Sequence, residues 1–156
     1  MAKEIERKFL VKSDEWKTLA KGTLYRQGYL STVKERVVRV RTIDDKGFLT
    51  VKGRVEGISR SEFEYAIPDE DANLILDSLC EKPIIEKYRS KIEYKGAIWE
   101  VDEFLGENEG LVIAEVELND ENQFVEIPEW IGEEVSGNPR YFNSNLINNP
   151  YKNWGD

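Results

Sequence analysis

The sequence predicts a mainly β fold of α+β character, an eight-stranded antiparallel closed barrel with a few flanking helices. Eight short segments alternate polar and apolar residues with a period of two, which indicates strands. Turn residues separate most of these segments by short distances, which favours hairpin connections. Helical patterns are few and short. Short strands joined largely by hairpins are typical of a closed barrel, because closure leaves no unpaired edge.

The eight predicted strands all lie before residue 119. In chain order they are 4–11, 24–32, 36–43, 48–55, 59–67, 86–94, 97–104 and 111–118. Asp44-Asp45-Lys46-Gly47 predicts a turn after the third strand. Lys95-Gly96 predicts a two-residue hairpin loop between the sixth and seventh strands.

Short helices are predicted between and after the strands. They cover residues 14–21, 70–80, 130–135 and 141–148. Ser13 and Asp69 stand where N-cap residues would cap the first two. Gly137 ends the third and Asn149-Pro150 breaks the fourth. We see no linker or low-complexity tract, and therefore expect one domain over residues 1–156.

Composition and charge exclude several classes of protein. The 156 residues are 40% hydrophobic and 34% charged, which is ordinary for a globular domain. The net charge of −9 argues against a nucleic-acid partner, because such binding needs a basic surface. The N-terminus is charged, and no apolar stretch reaches the length of a signal or a membrane span. We therefore expect a cytoplasmic protein without a membrane partner.

The chain has one cysteine and no histidine. Cys80 follows an apolar helical pattern and is expected to pack in the core, and a lone cysteine excludes a disulfide framework. The lack of histidine excludes Ser-His-Asp catalysis and histidine-ligated zinc. Any catalysis would use carboxylates, Lys, Arg, Tyr and a metal bound through oxygen.

Seven of the eight predicted strands carry charged residues two positions apart, on one face of the strand. The acidic pairs are Glu4/Glu6 (with Lys8 on the same face), Glu62/Glu64, Glu100/Asp102 and Glu115/Glu117. The basic pairs are Arg39/Arg41, Lys52/Arg54 and Lys87/Arg89. Like charges on one face repel and contribute little to stability, so this sorting favours a ligand between them.

Two orientations of these charges are open at this level. If they face inward, the cations would bind a polyanion, with arginine suited to phosphate oxygens. Carboxylates beside phosphate would then need a divalent cation, and oxygen ligands without His or Cys select Mg²⁺ or Mn²⁺. If they face outward, the barrel would hold an apolar ligand, as a lipocalin does, without metal dependence.

Glu4-Ile5-Glu6-Arg7-Lys8 resembles the ExExK signature of the CYTH superfamily, the triphosphate tunnel metalloenzymes. The later charged pairs fall where that family alternates basic and acidic strands, so the resemblance covers nearly the whole chain. It is greatest to the short bacterial tripolyphosphatases. It implies that the charges face inward and form a tunnel, with a C-terminal helix against one mouth of the barrel.

The resemblance also implies roles for individual residues. The substrate phosphates would be held by Lys8, Arg39, Arg41, Lys52, Lys87 and Arg89, with Arg54 added on periodicity. The metal would be held by Glu4, Glu6, Glu115 and Glu117, with Glu62, Glu64 and Asp102 supporting or joining. A carboxylate of Glu4 or Glu6 would orient the attacking water. Tyr29 is expected to join Glu4 and Glu6 as a catalytic residue, with its hydroxyl near the tunnel, touching phosphate or the C-terminal segment. Its alternative role is a packed aromatic.

The activity expected from this resemblance is metal-dependent hydrolysis of inorganic tripolyphosphate to diphosphate and phosphate. The predicted lining is almost purely ionic, and we find no pocket for a base. The alternatives are a nucleoside or thiamine triphosphatase, a class IV adenylate cyclase, and a polyphosphate-binding module without catalysis. Short bacterial members often look dimeric, which leaves a homodimer open.

Overall fold

A computed structural model describes residues 3–155 of the chain. Its strands are β1 (Lys3–Val11), β2 (Thr23–Ser31), β3 (Val37–Ile43), β4 (Lys46–Lys52), β5 (Ser59–Ile67), β6 (Ile85–Tyr94), β7 (Ala97–Phe104), β8 (Val112–Glu117) and β9 (Ile131–Glu134). The first eight agree with the predicted strands to within three residues at each end.

These eight strands form a closed antiparallel barrel, which confirms the predicted fold class. Their order around the barrel is β5-β4-β3-β2-β6-β7-β8-β1, and β1 pairs with β5 to close it. The closing register joins Lys3–Ile5 of β1 to Ser59–Ser61 of β5. Most neighbours are consecutive hairpins, whereas β2–β6, β1–β5 and β1–β8 join strands distant in sequence.

The strand β9 is a correction to the sequence prediction of a helix over 130–135. It pairs with the C-terminal half of β1, where Phe9 faces Glu134 and Val11 faces Ile131. On the edge of β1 that meets β9, the first residues of β1 pair with β5 instead, and that pairing stops at Ile5. The backbone N–H and C=O groups of β1 after Ile5 still need hydrogen-bond partners on that edge. Pairing with residues 131–134 supplies partners, and it outweighs the local helical pattern.

The helices are shorter than the sequence predicted. They are α1 (Asp69–Ser78) and α2 (Asn143–Leu146). Single 3-10 turns lie at Glu15–Thr18, Gly106–Asn108, Pro139–Tyr141 and Tyr151–Asn153. The helix predicted over 14–21 is therefore only one turn, and Pro68 rather than Asp69 occupies the N-cap of α1. No helix in residues 3–155 has the length and apolar character to cross a membrane.

Apolar residues on the outer faces of the strands form the core. On one side of the barrel, Trp99 of β7 packs against Phe9 and Trp130. On the other side, α1 lies so close to β2 that a Cβ on Gly28 would come within 3.0 Å of Leu76, and within 2.8 Å of Cys80 just after the helix. Cys80 is buried there, as predicted.

The C-terminal segment closes one end of the barrel. Leu146 and Ile147 are buried in a cluster with Tyr29, Ile85 and Phe104, which project inward near the strand ends. The interior is therefore a pocket with one sealed end.

Candidate active site

A cavity of about 350 Å³ lies inside the barrel, and its walls are charged. The charges face inward, as the resemblance implied. Of the residues predicted for the site, those that line the cavity are Glu4, Glu6, Lys8, Tyr29, Arg39, Arg41, Lys52, Glu62, Glu64, Lys87, Arg89, Glu115 and Glu117. Glu100 also lines it, and Arg54 and Asp102 do not.

Barrel closure sorts the charges into two halves. The strands with acidic pairs, β7, β8, β1 and β5, are neighbours around the barrel. The strands with basic pairs, β4, β3 and β6, form the opposite half with β2 between the last two. In sequence the acidic and basic strands are interspersed, so this segregation arises only from the strand order. The cavity thus has one cationic wall and one anionic wall, with Lys8 on the anionic side.

Asp102 anchors two cations of the basic half. Its oxygens accept hydrogen bonds from Nε and Nη2 of Arg89 at 2.7 and 2.8 Å, and one of them lies 2.8 Å from Nζ of Lys87. Arg89 also contacts Glu115 at 3.0 Å and Glu100 at 3.3 Å. These carboxylates more than offset the burial of Arg89 and raise its pKa. Burial, together with the neighbouring Arg89, lowers the pKa of Lys87 to about 7.

Arg39 and Arg41 share a single carboxylate. Nη2 of Arg39 and Nη2 of Arg41 lie 3.4 and 3.2 Å from Oε2 of Glu64, which also accepts a hydrogen bond from Thr50 at 2.8 Å. Burial, and then the charges of Arg39 and Arg89, lower the pKa of Arg41 to about 10. The basic wall therefore carries more positive charge than its own carboxylates balance, and this favours an anion.

The two carboxylates Glu6 and Glu115 have opposite pKa shifts. Burial, followed by the charges of Glu115 and Glu4, raises the pKa of Glu6 well above its usual value. Burial acts on Glu115 as well, but Lys8 and Arg89 outweigh it and hold its pKa well below the usual range. Of the two, Glu6 is therefore the carboxylate that keeps its proton to higher pH, since neighbouring carboxylates lose their protons in separate steps.

Lys8 lies within the acidic half of the barrel, and Lys52 lies beside it on β4. Burial disfavours the charged form of Lys8, but the surrounding carboxylates, Glu115 first, outweigh it and raise the pKa. Nζ of Lys52 lies 3.2 Å from Glu4 and 3.4 Å from Glu62. Burial, and then the charge of Glu4, raise the pKa of Glu117. Despite the lysines, repulsion among the carboxylates remains.

The strand β2 contributes residues that the sequence prediction missed. The ring of Tyr25 lines the cavity between the cations of β3 and β6. Gln27 is fully buried and donates from Nε2 to the hydroxyl of Tyr29 and to Oδ1 of Asn143, each at 3.0 Å. Oδ1 of Asn143 also accepts a hydrogen bond from Lys87 at 2.8 Å. Tyr25 and Gln27 lie at even spacings before Tyr29 on β2, so the period of two places all three on one face and could have identified them. Nothing in the sequence indicated Asn143.

Two predicted site residues need correction. Arg54 lies beyond the end of β4, its side chain is 59% exposed, and it contacts Glu35. The strand ends at Lys52, so the alternation no longer fixes the direction of Arg54. Asp102 is buried behind Lys87 and Arg89, and both of its oxygens are engaged by these cations. It supports these two cations and does not line the cavity.

Carboxylate oxygens are the ligands that Mg²⁺ and Mn²⁺ prefer, and the acidic wall supplies them without any histidine or cysteine. Burial, and then the negative charge of neighbouring carboxylates, raise the pKa values of Glu6 and Glu117, and a bound cation would offset that charge. Within residues 3–155, no three Asp, Glu or Cys side chains are gathered closely enough to form a ready metal site. The residues fit a divalent cation by their chemistry.

A closed barrel with a cationic and an anionic inner wall defines a class of protein that binds a polyanion inside the barrel. The chain belongs to the CYTH domain family, whose model matches residues 2–151. It is 64% identical to the inorganic triphosphatase of Acetivibrio thermocellus over 99% of both chains. It is 36% identical to the inorganic triphosphatase of Nitrosomonas europaea, covering 92% of this chain and 95% of that one.

The fold also resembles a solved structure of an inorganic triphosphatase. That crystal structure superposes with a TM-score of 0.65 at 31% identity, covering 92% of this chain and 96% of the other.

Proposed function

We propose that this protein is a hydrolase that cleaves inorganic triphosphate to diphosphate and phosphate inside the barrel. The observation that carries the proposal is the division of the cavity into a cationic and a carboxylate wall. A phosphoryl-transfer site needs cations on the phosphates and oxygen ligands for a bridging metal. The relatives named inorganic triphosphatases match this chain over almost its full length.

The size of the cavity supports an inorganic substrate. Its volume of about 350 Å³ lies at the small end of the range of roughly 300–1,000 Å³ for small-molecule sites. The three aromatic residues in its wall already have partners. Tyr25 contacts two guanidinium groups, Tyr29 belongs to the sealed end, and Nζ of Lys8 lies 5.5 Å from the ring centroid of Phe142. These contacts disfavour stacking of a base.

The basic wall would bind the phosphates. Guanidinium and ammonium groups are presented from the two strands that flank β2, by Arg39 and Arg41 on β3 and by Lys87 and Arg89 on β6. Lys8 and Lys52 also line the cavity. Forked contacts from arginine suit phosphate oxygens. In this arrangement the developing negative charge of the leaving diphosphate is stabilised by groups that are already in place.

The acidic wall would hold Mg²⁺ or Mn²⁺. Triphosphatases of the CYTH family are in general metal-dependent. We assign the ligands to Glu4, Glu6, Glu115 and Glu117, with Glu62 and Glu64 at the edge of the group. When bound, the ion would neutralise phosphate charge and lower the pKa of water. Glu6 would release its proton on binding, and a carboxylate of Glu4 or Glu6 would orient the water for attack on a terminal phosphorus.

The same proposal covers the remaining properties of the chain. We infer one CYTH domain over residues 1–156, with a small-molecule polyphosphate rather than a nucleic acid or a membrane as its partner. The unpaired, buried thiol of Cys80 fits a cytoplasmic location, where thiols stay reduced. A homodimer stays a prediction, which light scattering after gel filtration tests.

The test is phosphate release from tripolyphosphate, ATP and thiamine triphosphate, measured side by side with Mg²⁺, Mn²⁺ or EDTA. We expect rapid release from tripolyphosphate with either metal, slow release from the organic triphosphates, and none with EDTA. A preference for ATP would move the function to nucleotide hydrolysis or cyclisation. Binding without turnover in any condition would instead indicate a polyphosphate-binding module.

A further inference from the structure

Tyr25 occupies the centre of the basic half of the barrel. It belongs to β2, which lies between β3 and β6 and brings no charged residue into the cavity. Its ring is 4% exposed. The ring centroid lies 5.3 Å from Cζ of Arg41 on one neighbouring strand and 5.1 Å from Cζ of Arg89 on the other. Both distances lie within the range of a cation–π interaction.

The two guanidinium groups differ in their other partners. Arg89 donates two hydrogen bonds to Asp102 and further contacts Glu100 and Glu115. These carboxylates fix its position without the ring. Among residues 3–155, Arg41 has one carboxylate contact, at 3.2 Å to Glu64.

Arg41 is therefore the cation that depends on the ring. Its oxygen partner on Glu64 also accepts from Arg39 and Thr50. Its Nε is buried and has no hydrogen-bond partner within residues 3–155. The contact with Glu64 uses an N–H donor of Arg41, whereas the contact with the ring of Tyr25 does not. The face of an aromatic ring attracts the positive charge without accepting hydrogen bonds from the N–H groups in the guanidinium plane.

We propose that Tyr25 is a positioning residue that holds Arg41 for phosphate binding through its ring. This inference rests on the proposed function, since it takes the ligand of Arg41 to be a phosphate of the substrate. A carboxylate in place of the ring would compete with phosphate for the guanidinium donors. The ring orients Arg41, separates it from Arg89 and keeps its donors available to the substrate.

The test is the affinity for tripolyphosphate in EDTA, measured by titration calorimetry, so that turnover is not needed. We expect Tyr25→Leu to weaken binding by about tenfold, as the loss of a desolvated cation–π contact would. Tyr25→Phe keeps the ring and should restore an affinity near that of the natural protein. Tyr88→Leu, which removes a tyrosine from the outer face of β6, is the matched control and should leave the affinity unchanged.

A double-mutant cycle with Arg41→Ala distinguishes positioning from direct contact. If Tyr25 acts through Arg41, Tyr25→Leu should have little further effect in the Arg41→Ala protein. An equal loss in both backgrounds would mean that Tyr25 binds the substrate itself, and would overturn the proposal. Equal damage from Tyr25→Phe and Tyr25→Leu would assign the effect to the hydroxyl, and would overturn it as well. Tyr25→Met serves as the second variant if Tyr25→Leu does not fold.

A ligand-free measurement separates failure of this inference from failure of the proposed function. In protein with ¹⁵N-labelled arginine, the Nε–H resonance of Arg41, assigned with Arg41→Ala, should carry a ring-current shift that Tyr25→Phe preserves and Tyr25→Leu or Tyr25→Met removes. Absence of the shift in the natural protein would overturn the ring contact itself. Presence of the shift in a protein that does not bind tripolyphosphate would overturn the phosphate role of Arg41 and, with it, the proposed substrate.

Discussion

Nζ of Lys87 lies 2.8 Å from Oδ2 of Asp102, and both side chains are only 2% exposed. The same carboxylate accepts two hydrogen bonds from Arg89. One buried anion therefore holds two cations of the basic wall. Burial opposes its ionisation, but Arg89 and Lys87 outweigh burial and lower the pKa of Asp102.

Asp102→Asn should lower both stability and activity. Removing one partner of a buried ion pair leaves uncompensated charge, which costs about 3–5 kcal/mol of the free energy of unfolding. Urea unfolding measures the stability, and phosphate release from tripolyphosphate measures the activity. The control is Glu103→Gln, at the next position of β7, where the side chain is 42% exposed. Similar stability and activity of the two variants would show that Asp102 does not hold Lys87 and Arg89 in place.

Lys87 should make anion binding depend on pH. Its pKa is lowered to about 7, so the amine is largely neutral above that pH in the free protein. A bound phosphate favours the charged form, and binding at pH 8 should therefore take up a proton. Calorimetry in two buffers of different ionisation enthalpy measures the uptake. Lys87→Arg, which stays charged, should take up less. Equal uptake in both proteins would contradict the shift.

The same shift has a consequence for stability. Between the folded pKa of about 7 and the ordinary value of 10.5, the unfolded chain binds the proton of Lys87 more than the folded chain does. The contribution of this group to the free energy of unfolding should therefore rise with pH across that window. Urea titrations of the natural protein and of Lys87→Arg, at several pH values, measure it by difference. A difference that does not change with pH would contradict the lowered pKa.

Glu6→Gln and Glu115→Gln should abolish turnover but shift stability in opposite directions. The raised pKa of Glu6 means that ionising it opposes folding as pH rises above its usual value of 4.5. The lowered pKa of Glu115 means that its charge stabilises the fold above 4.5 and is lost as pH falls through its folded pKa. In EDTA at pH 8, we expect a higher Tm for Glu6→Gln and a lower Tm for Glu115→Gln. Shifts of the same sign would refute the assignment.

Comparing Arg39→Ala with Arg54→Ala tests which of these arginines belongs to the substrate-binding wall of the cavity. Arg39→Ala removes a buried cation of the lining and should raise KM for tripolyphosphate by tenfold or more, on the order of a charged hydrogen bond. Arg54→Ala removes an exposed side chain outside the cavity and should leave KM unchanged. Initial rates over a range of tripolyphosphate concentrations measure both. An unchanged KM for Arg39→Ala would mean that Arg39 does not bind the substrate. A raised KM for Arg54→Ala would mean that Arg54 binds the substrate, as the sequence predicted.

The resemblance to the CYTH superfamily, and not the residue pattern alone, predicted that the charges face inward. The alternation of residues was enough to predict the barrel strands and which charges share a face of each strand, because a strand with a period of two has only two faces. It failed for Arg54, which follows the last paired residue of β4. It also failed for β9, whose conformation is set by the free edge of β1 and not by its own residues. The separation of acidic and basic walls depends on the long-range pairs β2–β6, β1–β5 and β1–β8, which no local pattern encodes.

Asn143 is the residue of the site that sequence reasoning could not reach, because the C-terminal segment brings it back to the barrel. Its Oδ1 accepts hydrogen bonds from Lys87 at 2.8 Å and from Gln27 at 3.0 Å. Gln27 in turn donates to the hydroxyl of Tyr29. That hydroxyl therefore acts as an acceptor toward Gln27, and its own proton is available to the cavity. Burial raises the pKa of Tyr29, so the proton is retained.

Asn143→Ala should disconnect this network and raise KM for tripolyphosphate by about tenfold, the scale of one unsatisfied buried polar group. The effect on kcat should be smaller, because Lys87 and Tyr29 are expected to bind the phosphates more than to act on the water. Asn148→Ala, an exposed asparagine of the same segment, is the control. Steady-state kinetics with tripolyphosphate measures both parameters, and thermal unfolding checks that the segment still seals the barrel. A normal KM in a folded Asn143→Ala protein would mean that Lys87 and Tyr29 reach the substrate without the C-terminal segment.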